Sequence, residues 1–324
     1  MQKKLLISCL SCLLACSVWS QDPVSTQFFN TPLAVNPAYA AEGTSDFQVF
    51  ANYRQQWFGS SASYNTALAS FYGSLLSVEK GSAGNLGIGG MLMTDQSLQG
   101  AYKTAYASLN LAYLLSLDDE GNSRLGVGLA GIYGNRRIDF SQLTFISQFS
   151  SRGFNASLPT GENALANMSN YFSVGAGILF THQLDGYLIK VGAGGYHFNT
   201  PRQTLVTDVY EEIPTRYTAH GSVKAELSSQ LSIDLCAIYQ SQVGNSFFSG
   251  GAIFGFMPNG LDGGLSIDAG LFYRNTKTIS PYLGVQFNKL NAGLSYDVNM
   301  DNKGLGLNAM RAWELGVRFG MGGN

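Results

Sequence analysis

The sequence predicts an all-β protein, a transmembrane antiparallel β-barrel of about 14 strands with both termini periplasmic. Three observations predict it. Apolar and polar residues alternate with period two along nearly the whole chain. Charged residues make up only 12% of the 324 residues, against roughly 25% in an ordinary soluble domain. Beyond residue 20 there is no run of about 18 apolar residues, so any membrane crossing is made by strands rather than helices.

The composition closes off other classes. Lys+Arg 19 against Asp+Glu 21 leaves a net charge of −2, without the basic surplus that nucleic-acid binding requires. The 39 glycines follow no Gly-X-Y period, and 12% aromatic residues exclude a disordered chain. Glycine in curved strands relieves crowding.

The chain divides into residues 1–20, 21–45 and 46–324. Lys3 and Lys4 precede an apolar core from Leu5 to Ala15 and a cleavage site at Val18-Trp19-Ser20. This reads as a secretory signal peptide, with an apolar core too short to span a bilayer, and cutting after Ser20 would leave Gln21 first. Leu13-Leu14-Ala15-Cys16 also reads as a lipoprotein box, with Cys16 as the lipid site. Cys9, Cys12 and Cys16 leave with the signal under the first reading, so Cys236 has no intramolecular disulfide partner.

Segment 21–45, the periplasmic or plug segment, does not alternate. Three prolines, Pro23, Pro32 and Pro37, interrupt it, and proline cannot donate to a strand ladder. Its apolar residues Phe28, Phe29, Leu33 and Tyr39 are more than an inert tail needs, and predict docking in the lumen or at the periplasmic mouth. Phe28, Phe29, Asn30, Pro32, Asn36, Pro37 and Tyr39 are the candidate plug or partner-contact residues.

Strands are expected over 46–57, 61–76, 84–95, 100–117, 123–136, 170–183, 187–199, 216–227, 230–240, 246–257, 264–274, 278–288, 289–299 and 312–322. In the first, Phe47, Val49, Ala51, Tyr53 and Trp57 share one parity, opposite Gln48, Asn52, Arg54 and Gln56. The last sets Trp313, Leu315, Val317 and Phe319 against Glu314 and Arg318. The polar parity is mostly Gly, Ser, Asn, Gln and single charges, which suits a crowded lumen better than the Lys/Glu face of a soluble sandwich. Arg54, Asp234, Asp268, Arg274, Asp297, Glu314 and Arg318 are the candidate lumen charges, with Arg54 facing Glu314 if first and last strands adjoin. Lys103 breaks the pattern, sharing parity with Ala105, Ala107, Leu109 and Leu111, and is expected at a membrane edge or a bulge. Short connections follow even-numbered strands, and long ones, 137–169, 200–215 and 300–311, follow odd ones. That asymmetry sets the termini in the periplasm.

No catalytic, cofactor or metal set emerges. His182, His197 and His220 lack ligand spacing, and no phosphate-binding Gly-Lys-Ser/Thr loop occurs. An enzyme reading would need His197 or His220 with Asp208, Glu211 or Glu212 across one loop.

Particular residues carry a family resemblance. Gln21-Asp22-Pro23, Ser25-Thr26-Gln27-Phe28-Phe29-Asn30-Thr31-Pro32-Leu33 and Asn36-Pro37-Ala38 open the mature chain, followed by Tyr53-Arg54-Gln55-Gln56-Trp57 and Tyr64-Asn65-Thr66. Later come Gly126-Val127-Gly128-Leu129-Ala130-Gly131, Tyr196-His197-Phe198-Asn199-Thr200-Pro201, Arg216-Tyr217-Thr218-Ala219-His220-Gly221 and Gly293-Leu294-Ser295-Tyr296-Asp297. In this order they resemble the PorP/SprF family of type IX secretion system outer-membrane proteins of the Bacteroidota. The last strand departs, with Ala312-Trp313-Glu314 where the family usually has Ser-His-Glu, so that only the glutamate is kept. The resemblance implies a non-enzymatic component in outer-membrane lipid that supports protein secretion, gliding motility or the anchoring of an adhesin. Its implied partners are the secretion machinery and a cargo with a C-terminal sorting domain. A different class of function, a diffusion channel or small-ligand transporter, remains open from sequence, since fourteen strands can leave a passage.

Overall fold

The structure is a computed structural model that describes residues 22–42, 47–58, 63–75, 84–160, 166–167, 169–206, 209–260, 264–300 and 311–321. The proposed signal peptide, with Cys9, Cys12 and Cys16, lies outside the described residues, as do Asp208 and residues 301–310.

Fourteen antiparallel strands close into one barrel. They are β1 Phe47–Gln56, β2 Tyr64–Ser74, β3 Gly84–Ser97, β4 Tyr102–Ser116, β5 Ser123–Ile138, β6 Tyr171–Leu184 and β7 Tyr187–Tyr196. The circuit continues with β8 Arg216–Ser228, β9 Leu231–Gln242, β10 Asn245–Phe256, β11 Leu265–Arg274, β12 Thr278–Phe287, β13 Leu290–Asn299 and β14 Arg311–Met321. Each expected strand falls on one of these, with bounds that move by three residues or fewer. β1 pairs with β14 from Phe47↔Met321 to Gln56↔Ala312, and this seam excludes a two-sheet sandwich. Ala166–Asn167 adds a two-residue pairing to the end of β5.

Alternation assigns each face its solvent. Val49, Tyr53, Leu235, Leu271, Leu294 and Leu315 point outward and are exposed, as lipid-facing residues of a barrel must be. Outward aromatics gather at both rims. Tyr133, Phe172, Tyr217, Tyr239, Phe248 and Tyr273 lie toward one, and Phe71, Tyr113, Tyr187, Phe256, Phe287 and Phe319 toward the other. Lys103 is the second residue of β4, paired with Gln96 in unbroken register, so it sits at an edge and not at a bulge.

The two mouths differ. At one, here the chain-end mouth, β1 begins and β14 ends, and the tight turns 185–186, 229–230 and 288–289 close hairpins. The other, the loop mouth, carries connections 139–170 and 197–215 alongside the tight turns 243–244 and 275–277. Connection 139–170 holds two single 3-10 turns and a hairpin of Phe149–Ser150 with Gly153–Phe154. Connection 197–215 holds a hairpin of Arg202–Val206 with Val209–Glu212.

The inner face is less polar than the alternation suggests. Phe50, Leu68, Tyr72, Met91, Met93, Ile238, Phe272 and Tyr282 all point inward and are buried. A water-filled lumen would not bury them; they are buried because residues 22–42 fold into the barrel against them.

Candidate functional site

Residues 22–42 cannot extend a sheet, because their prolines lack the N–H a ladder needs, and they form short helical turns instead. Phe28–Asn30 is a 3-10 turn, Pro32–Val35 one helical turn begun by proline, and Pro37–Ala41 a second 3-10 turn capped by Asn36, whose Oδ1 accepts from Ala38 N at 2.9 Å.

The segment runs down the lumen. Asp22, at the loop mouth, accepts from Arg216 (3.2 Å), is 3.1 Å from His197 Nε2, and donates its own backbone N–H to Gln242 Oε1. Burial disfavours the charged carboxyl, but the neighbouring His197 and the Arg216 guanidinium outweigh it and hold its pKa well below the usual range. At the other end Glu42 pairs with Lys190, three residues from the chain-end limit of β7. The first described residue, Asp22, therefore lies at the mouth opposite the last, Met321. The segment traverses the lumen before β1 begins.

Three kinds of wall hold it. The first is polar and centred on Glu314, which is fully buried. Its carboxylate accepts from the backbone N–H groups of Thr26 (2.7 Å) and Gln27 (3.0 Å), from Asn52 (2.9 Å), from Arg54 (2.9 Å) and from the Ser25 hydroxyl. Arg54 also reaches Asp297 at 2.6 Å. The Thr26 hydroxyl donates to Asp297 and accepts from Arg54 and Arg274, each at 2.8 Å. Arg274 stands 3.6 Å from Asp297. Four of the candidate lumen charges, Arg54, Arg274, Asp297 and Glu314, thus meet in one cluster with the segment.

The second wall is apolar and has two patches. Leu33, Ala40 and Ala41 pack on Phe50, Leu68, Tyr72, Met91, Met93 and Leu114 of β1–β4. Across the lumen, Phe28 and Val35 pack on Cys236, Ile238, Phe272 and Tyr282 of β9–β12, where the Phe29 ring stacks on Phe272 with centroids 5.7 Å apart. Burying Leu33 or Phe28 contributes about 1.5–3 kcal/mol each.

The third wall is glycine. A Cβ on Gly128 would lie 2.4 Å from Ala38 N, and one on Gly177 would lie 2.0 Å from Asn36 Oδ1. Only bare backbone lets Asn36 and Pro37 approach β5 and β6 so closely. Asn36 then donates to the carbonyls of Ile178 (2.8 Å) and Ala193 (3.3 Å) and meets His220 Nε2 at 3.1 Å. These inner-wall glycines accommodate the segment, a more specific role than relief of curvature.

β8 tracks the segment with its inward residues. Arg216 donates to Ala34 O (2.8 Å), Thr218 to Val35 O (2.7 Å), and His220 faces Asn36 and Tyr39, its ring stacked on Tyr39 at 5.2 Å. The Tyr196 hydroxyl donates to Leu33 O. The candidate segment residues divide accordingly. Phe28 and Phe29 enter the aromatic patch, Asn30 bonds Gln27 Oε1 (2.9 Å), Pro32 and Pro37 start turns, and Asn36 and Tyr39 engage β6–β8.

The remaining candidate charges lie elsewhere. Asp234, Asp268 and Arg318 line a cavity of about 450 Å3 at the chain-end side, beneath Phe28 and Phe29. Among the described residues none of the three has an ion pair within 4.0 Å. Each histidine has a local partner among the described residues. His197 bonds Ser173 and Asp22, His220 bonds the segment, and His182 meets Ser123 at 2.9 Å. Glu212 pairs with Arg202 on an exposed hairpin. No group of three or more His, Cys, Asp or Glu that could hold a metal occurs among the described residues. Sequence reasoning missed Asp22, Thr26, Gln27, Arg216 and Thr218 as segment contacts, although all five stand in the motif blocks.

Solved structures share the barrel. A deletion mutant of the TodX monoaromatic hydrocarbon channel aligns with TM-score 0.54 at 9% identity, covering 90% of this chain and 94% of that one. The CymD monoaromatic hydrocarbon channel aligns at 0.53 and 10%, covering 91% and 93%. The Pseudomonas putida toluene transporter TodX aligns at 0.52 and 7%, covering 94% and 95%. At such identity the likeness is one of fold. No curated protein matches the sequence. The model of one family, described as type IX secretion system membrane protein PorP/SprF, matches residues 17–319, nearly the whole chain. The chain belongs to the PorP/SprF family of type IX secretion system membrane proteins, and is an outer-membrane β-barrel associated with that system.

Proposed function

We propose that this barrel sits in the outer membrane of a Bacteroidota bacterium, with its loop mouth outward, and supports secretion or surface anchoring of one cargo or adhesin bearing a C-terminal sorting domain. The observation that carries this reading is the lodged segment. Residues 22–42 bond to β1, β6, β7, β8, β9, β11, β13 and β14, so the lumen is obstructed rather than open from mouth to mouth. A filled barrel suits docking, and residues 21–45 serve as its plug. The long loops support the cargo assignment, since Ile146, Phe149 and Phe154 expose apolar side chains in connection 139–170. Catalysis is no part of this role.

A second reading, a diffusion channel, is favoured by the names of the structural neighbours, which are hydrocarbon channels. It requires the segment to leave the lumen. Deletion of the gene, with surface and medium proteins compared by mass spectrometry, separates the two. Loss of one large surface protein that accumulates inside the cell is expected. An unchanged surface with reduced uptake or permeability contradicts the secretion role.

A further inference from the structure

The cavity of about 450 Å3 has the size of a ligand pocket and the wrong chemistry for a passage. Its inner end is closed by Phe28, Phe29 and Val35 of the lodged segment, so whatever enters leaves by the same mouth. Around its wall, three or four residues inside the chain-end limits of their strands, stand Lys190, Lys224, Asp234, Asp268 and Arg318, with Glu42 from the segment. Three are cationic and three anionic. Lys190 and Glu42 satisfy each other, whereas Lys224, Asp234, Asp268 and Arg318 form no ion pair among the described residues. Asp234 Oδ1 is buried and without a hydrogen-bond partner there.

We propose that this vestibule binds a short extended peptide segment of a partner protein, one that carries an aromatic side chain flanked by charges of both signs. The aromatic residue packs beneath Phe29 and Tyr282, and its charged neighbours pair with Asp234 and Arg318. Gln48, Gln286 and Asn291 supply amide donors and acceptors for its backbone. A binder of simple anions or cations would carry one sign in excess; balanced charges around an aromatic ceiling match a zwitterionic chain. The blind inner end makes this docking and not transit. The inference goes beyond the secretion role, and its test does not depend on that role.

The test uses the full mature barrel in detergent and two capped, dye-labelled pentapeptides, Gly-Lys-Phe-Glu-Gly and Gly-Ala-Phe-Ala-Gly, with free phenylalanine as competitor. Fluorescence anisotropy is expected to show binding of the charged peptide, weaker by about tenfold or more for the neutral one and at high salt. The double variant Asp234→Asn/Arg318→Gln is expected to lose about tenfold while keeping the folded barrel's gel mobility. Equal binding of both peptides, no binding of the charged one, or full competition by free phenylalanine overturns the proposal. Those comparisons on the unaltered protein decide it even if the variant does not fold.

Discussion

The two halves of the lumen draw on the same residue types and use them in opposite ways. Toward the loop mouth, Arg54, Arg216, Arg274, Asp22, Asp297 and Glu314 are all ion-paired and nearly all contact the segment. Toward the chain-end mouth, Lys224, Asp234, Asp268 and Arg318 line a cavity without such pairs. Dehydration accounts for the difference. A buried charge must find a partner or lose several kcal/mol, whereas a charge bordering an open cavity keeps part of its hydration. The lodged segment fills one half of the lumen and leaves a cavity in the other.

The largest expected effect breaks the filled half. Glu314→Ala leaves Arg54 with Asp297 as its one carboxylate partner and the Thr26 and Gln27 N–H groups without this acceptor, at a cost of about 3–5 kcal/mol. Arg318→Gln, on the same strand, is expected to stay within about 0.5 kcal/mol. Melting curves of the two purified variants make the comparison, and similar losses would erase the distinction between halves.

Leu33→Ala comes next, at about 2–5 kcal/mol, because Leu33 is fully buried on β1–β4. Protease sensitivity of the segment should rise while the barrel stays folded. Gly177→Val drives a side chain into Asn36 and should cost about 1–3 kcal/mol, read as lost protection at the Ala38 amide. Gly131→Val, which faces outward near Phe172, serves as its control.

The smallest effect is a pH dependence at Asp22. Its folded pKa is depressed, so the Arg216 pairing stabilises fully above about pH 4 and fades as the pH falls through the folded value. Melting temperatures of the unaltered protein and Asp22→Asn should differ at neutral pH and converge in strong acid. A constant gap would remove Asp22 from the latch.

Much of the barrel was legible because period-two alternation reports strands directly, and Tyr53-Arg54 opposite Glu314 marked the seam. The lumen's content was legible only in part. Prolines and aromatics in 21–45 argued for docking, but the residues receiving it were hidden among ordinary strand positions. Phe50, Ile238 and Phe272 share the polar parity of their strands, and they are the apolar footprint of the segment. Gly126 and Gly128 stand in the glycine-rich block, and both face Ala38. Contacts such as Thr218 with Val35 O join residues far apart in sequence, and no local periodicity encodes them. Glu314, the residue kept where the last strand departs from the family pattern, is the acceptor on which the segment's N–H groups converge.

The central claim is that residues 22–42 are lodged in the lumen as a bonded element. Hydrogen exchange of the purified barrel, resolved at Thr26 and Gln27, tests it most directly. Both amides donate to the buried Glu314 carboxylate and should exchange as slowly as those of β1 and β14. Exchange as fast as that of the exposed turn at Asn275–Lys277 would contradict the account.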